Sequence, residues 1–171
     1  MRFFEPTYVW DWCRAHGFPL IEDQPLMTPR LATDPALLHS QRALHTAAGN
    51  REAAAVLAAE VCAALGPWES CLAWATDWDV WENQEDWPRF YAWRGGYNER
   101  RSLAAVPGHL FENTEAGELK TFVAHAIECG WDMSLLPICN GSPTGIRIRI
   151  SHDEWIAIDS TQPVSFAVAA G

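Results

Sequence analysis

At Ser70 the side-chain period of this chain changes, and that change constrains the fold more than any other feature. Upstream, Ala54, Leu57, Ala58, Val61 and Leu65 recur at helical spacing; Asn50 stands where an N-cap belongs, and Gly66-Pro67 ends the run. Downstream, Leu72, Trp74, Thr76, Trp78 and Val80 fall on one side of a strict alternation. Cys71, Ala73, Ala75, Asp77, Asp79 and Trp81 fall on the other. A helix with an apolar stripe and a strand with an apolar face bury those surfaces most simply against each other. The expected fold class is therefore α+β: an antiparallel β-sheet with packed helices, preceded by an N-terminal helical segment.

Other segments fill in that outline. Pro6 starts a short helix that Gly17 and Pro19 close. Asp34-Pro35 reads as a second helix start, with Leu37, Leu38, Gln41, Leu44 and Ala48 on one face and Gly49 at its end. That helix and the one after Asn50 should then pack antiparallel. Asp86 can cap a short helix carrying Trp87, Phe90 and Trp93. "HLFE" reads as a brief strand, and Thr114 as the cap of a helix with Leu119, Phe122, Val123, Ala126 and Ile127 on one face and Gly130 beyond it. "WDMSLLPI", "IRIRIS" and "WIAIDS", separated by the turns "CNGSPTG" and "HDE", predict an antiparallel meander. No internal repeat interrupts this. A single domain over 1–171 is expected, helical over 1–66 and sheet-containing over 67–171.

Charge narrows the function. Twelve basic against 22 acidic side chains leave a net charge of −10. Nucleic acid and anionic membranes call for a basic footprint, so neither is an expected partner, whereas a basic protein is. Five cysteines without regular spacing, no apolar leader and no apolar run long enough to span a bilayer lead to the expectation of a cytoplasmic protein with reduced thiols. Asn140-Gly141-Ser142 then reads as a turn and not as a glycosylation site.

Several groupings could carry chemistry. His152, Asp153 and Glu154 are the most enzyme-like triplet, able in principle to hold a metal or move protons, although polar residues are also what a hairpin tip uses. Cys13 with His16 and His125 with Cys129 each share a helix face, but they lack zinc-knuckle spacing. No metal or other cofactor is expected. No Cys–His pair has a nucleophile context, and there is no phosphate-binding glycine pattern. Arg89, Arg94, Arg100 and Arg101 form the basic cluster, and neutralising the acidic segment beside it is the favoured reading over binding an anion.

That acidic segment, "TDWDVWENQEDW", sets Asp77, Asp79, Glu82, Glu85 and Asp86 among Trp78, Trp81 and Trp87 with no lysine or arginine. Trp81 shares a face with acids, where a core does not need it. Aromatic area beside carboxylates suits recognition of a basic partner. The candidate partner-binding residues are Asp77, Asp79, Trp81, Glu82, Glu85 and Asp86, unless another layer of the fold covers that side.

From about Trp68 to Trp155 the chain resembles a family of bacterial proteins of unknown activity. The resemblance lies in "SCLAWATDWDVW", "YAWR", "PGHLF", "ELKTFVAHAIECGWD" and "SHDEW". It covers about half the chain and contains no catalytic signature. It implies a small cytoplasmic immunity-type protein that protects a cell by binding a toxin. The leading expectation is thus a non-enzymatic acidic binding protein. The alternatives are a small hydrolase or metal-dependent enzyme using His152, Asp153 and Glu154, and a structural or phage-associated interaction protein.

Overall fold

The computed structural model describes residues 1–21, 30–78, 86–164 and 166. In chain order they form β1 (Arg2–Phe4), α1 (Pro6–Ala15), β2 (Leu20–Ile21), β3 (Arg30–Leu31), β4 (His39–Leu44), α2 (Arg51–Ala64), β5 (Ser70–Asp77), α3 (Trp87–Gly95) and β6 (Gly108–Glu112). A 3₁₀ turn (Asn113–Glu115), α4 (Ala116–Glu128), β7 (Asp132–Cys139), β8 (Ser142–Pro143), β9 (Ile146–Ser151) and β10 (Trp155–Ser160) follow. The fold is α+β. Its eight-stranded antiparallel sheet runs β1-β6-β5-β7-β9-β10-β4, with β8 paired to β7. Among the described residues no helix is long and apolar enough to cross a membrane.

Helices cover the sheet on both faces. On one, Leu57, Val61, Leu119, Phe122 and Val123 of α2 and α4 pack on Cys71, Ala73, Phe111, Leu135, Ile148 and Ile156. On the other, Val9 and Cys13 of α1, with Phe18, pack on Leu72, Trp74, Leu110, Leu136 and Ile138. The approach of α1 is close: a Cβ added to Gly108 would collide with Val9 and, at 2.9 Å, with Phe4. Local signals hold where they were strong. The Asn50 side chain accepts from the Ala53 N–H at the start of α2, and the Asp86 side chain from the Arg89 N–H at the start of α3. Gly17, Gly66 and Gly130 take positive φ after α1, α2 and α4.

Four expectations need correction. Residues 34–49 are not a helix. The Asp34 carboxylate accepts from the Ala36 N–H in a turn, and His39–Leu44 pair residue for residue with β10. Leu38 and Leu44, assigned to a buried helical stripe, are 77% and 74% exposed. The open edge of β10 offers this segment a complete backbone ladder, which outweighs a weak helical pattern. As a consequence α2 packs on α4 and not on a preceding helix. The two edge strands, β1 and β4, both come from the first 66 residues, so one sheet spans the helical and sheet-containing parts.

The second correction concerns the face of β5 opposite Trp74. The alternation leads one to expect this acid-bearing face to be the more exposed one, but Cys71, Ala73 and Ala75 are fully buried under the helices, and along β5 only Thr76 and Asp77 at the strand end are exposed. Third, Trp78 is not buried in the core that holds Trp74, although both line the same cleft. The register shifts between Ala75 and Asp77, as a β-bulge does, and the half-buried Trp78 also packs against the α2–α4 core. Fourth, α4 is entered through the 3₁₀ turn, where Glu112 and Glu115 form a reciprocal capping box, and Thr114 is not the cap.

Candidate functional site

Three neighbouring strands end at the same place. β5 finishes at Asp77, directly opposite Asp132 at the start of β7, and β9 turns into β10 through His152. The sheet therefore sets two carboxylates face to face across a strand pair, an arrangement that repels unless a positive or hydrogen-donating group intervenes. His152 supplies part of that. Its backbone N–H donates to Asp132 Oδ1 at 2.7 Å, and its Nδ1 lies 2.9 Å from the same oxygen. With a carboxylate as acceptor, Nδ1 carries the proton. One ligand atom each from Asp77, Asp132 and His152 lie within 4.8 Å of one another.

These groups adjoin a cleft of about 390 Å³ on the α1 side of the sheet. Asp77, Asp132, Ser134 and Arg149 line it, with Trp10, Trp74 and Trp78 among its walls. The Trp10 indole N–H is buried without an acceptor among the described residues. Arg149 is held in place by Asp159, whose Oδ2 is 3.1 Å from its Nε, and its guanidinium lies over the Trp155 ring. Burial works to raise the Asp159 carboxyl, but the Ser40 hydroxyl, Arg149 and Arg147 outweigh it and hold the group below its ordinary value. Arg147 and Arg149 share the single Asp159 carboxylate, so that wall carries a net positive charge, and the acidic groups of the cleft are Asp77 and Asp132. Two carboxylates between aromatic walls can take a guanidinium or ammonium group, and with His152 they can take a divalent cation.

The anticipated partner residues separate. Asp77 lines the cleft. Asp86 is the cap of α3, 3.3 Å from Arg51 and 3.4 Å from Arg89, so its charge is matched within the fold. Asp79, Trp81, Glu82 and Glu85 lie outside the described residues. The triplet His152, Asp153 and Glu154 is a turn, with Glu154 at φ 58°. His152 joins the cluster, and Asp153 reaches its Nε2 at 3.4 Å from an exposed position. The carboxylates that converge with His152 are Asp77 and Asp132. No local motif marks Asp132 in the sequence; only strand register places it beside Asp77.

The remaining groupings prove structural. Cys13 is on the sheet-facing side of α1 and the His125–Cys129 pair lies on the opposite face of the sheet, so they share no site. Burial pushes the Cys13 thiol up to about 12 and the Cys62 thiol up to about 11, which opposes thiolate formation. Of the arginine cluster, Arg89 meets Asp86 and Glu128, while Arg101 meets Glu99 and Glu5. Arg94 is fully buried among the rings of Phe3, Phe90 and Tyr91. Among the described residues, only Arg89 neutralises the acidic segment as expected. Comparison with known proteins finds no match to a family model, to a curated protein or to a solved structure.

Proposed function

We propose that this chain is a non-enzymatic binding protein that receives a cationic side chain of a basic protein partner in the cleft at the strand ends, as an immunity protein neutralising a toxin would. The observation that carries this reading is the direct cross-strand pairing of Asp77 with Asp132 beside tryptophan walls. A guanidinium placed there would donate to the two facing carboxylates and stack on an indole, gaining from both. The net charge of −10 would steer a basic partner from a distance and make association salt-dependent. The toxin is what the sequence resemblance of residues 68–155 to a bacterial family of unknown activity would imply, and no family model or curated protein adds support to it.

The test uses an arginine-containing peptide followed by tryptophan emission at low and high salt. Saturable quenching is expected, strongest at low salt, weakened in Asp77→Asn and absent with a glutamate-containing peptide. A protein that responds to neither peptide, or equally to both, does not use this cleft for cations. A second reading, metal-dependent chemistry, is favoured by the convergence of Asp77, Asp132 and His152. For a metal to bind, the His152–Asp132 contact would have to open or Nε2 would have to ligate. Calorimetric titration with Mn²⁺ and Zn²⁺ separates the two: one tight equivalent, lost in His152→Ala while peptide binding persists, favours the metal.

A further inference from the structure

On the face of the sheet away from that cleft, α2, α3 and α4 enclose a groove of about 400 Å³. Its body is aromatic and aliphatic: Phe90, Trp93, Phe122, Ala124 and Ala55, with the His125 ring. The rings stack on one another, Trp93 on Phe122 at 15° and Phe90 on His125 at 8°, so the buried Phe90, Phe122 and His125 form a floor, with Ala55, Trp93, Thr121 and Ala124 at its open side. Three cations stand at this groove in a chain that is acidic overall. Two of them are matched, since Asp86 and Glu128 pair with both Arg51 and Arg89. The third, Lys120, is the only lysine of the chain; it is exposed and has no ion-pair partner among the described residues. His125 adds no charge at neutral pH, because burial and then Arg89 push its pKa down to about 4.

A concave apolar slot with one uncommitted cation at its edge is the chemistry of an amphipathic anion site. We propose that this groove binds a small aromatic carboxylate, its ring between the helices and its carboxylate at Lys120. The volume suits a ligand of two fused rings, since small-molecule sites begin at about 300 Å³. This site is independent of the cleft at the strand ends.

The experiment titrates the full chain by calorimetry with 2-naphthoate and, separately, with uncharged 2-naphthamide. One saturable equivalent of naphthoate is expected, with naphthamide about three- to tenfold weaker, the range an exposed charge contact supports. Lys120→Gln should bring naphthoate down to the naphthamide level and leave naphthamide unchanged. Ala55→Phe and Thr121→Trp fill the groove from exposed helix positions, and each should block both compounds while the unfolding midpoint holds. No saturable uptake of naphthoate overturns the proposal, as does equal affinity for the two compounds. Binding that survives both groove-filling substitutions overturns it as well.

Discussion

Replacing Trp74 by alanine tests the two-sided packing of β5 most directly. The indole is 4% exposed and lies between the sheet and α1, among Leu72, Leu110, Leu136, Val9 and Cys13. A buried tryptophan removes roughly 150–250 Å² from water, which at ~25 cal/mol per Å² is at most about 4–6 kcal/mol. The cost of an empty cavity adds less here than in a closed core. Trp74 also lines the open cleft, so water can enter part of the vacated space. The expected loss is therefore about 3–4 kcal/mol, within the usual span for large-to-small core changes. Urea unfolding followed by circular dichroism measures it, with the midpoint falling and the slope unchanged. A loss below about 1 kcal/mol would mean that α1 does not seal this face, and would refute the packing argument.

Further outcomes follow from other parts of the fold. Burial, then Arg94, holds the His109 pKa down at about 3, and burial, then Arg89, holds that of His125 at about 4. Both lie below the unfolded value, so stability is intact above about pH 6.5 and falls as pH drops toward 4, by about 2 kcal/mol per histidine at pH 5; a flat stability profile between pH 7 and 5 contradicts this. Gly108→Ala forces a methyl into Val9 and Phe4 and should cost about 1–3 kcal/mol, read as a lowered unfolding midpoint. Leu44→Thr should change stability by no more than about 0.5 kcal/mol, because Leu44 is 74% exposed on an edge strand; a large loss would restore the buried helical stripe.

The segments that the sequence determined are those whose signals act over a few residues. The Asn50 cap, the Ala54–Leu65 stripe and the Gly66 stop define α2, and Asp86 and Gly130 mark α3 and α4 in the same way. The alternation "IRIRIS" and the Asn140-Gly141 turn give the meander. Caps, turn glycines and side-chain period are settled by backbone geometry within one or two turns of chain, so they survive in any tertiary setting. Tertiary structure alone decided the rest. Residues 39–44 are a strand because β10 has an open edge, a fact located more than a hundred residues away. The Cys71–Ala73–Ala75 side is a core because α2 and α4 fall on it, and its small side chains are what lets them approach. The candidate site is of the same kind. Asp77, Asp132 and His152 meet only because β5, β7 and β9 are adjacent in the sheet and a bulge shifts the register at Thr76. Strand pairing is a non-local choice made by the sum of all competing ladders, and the spacing of residues along one chain does not encode it.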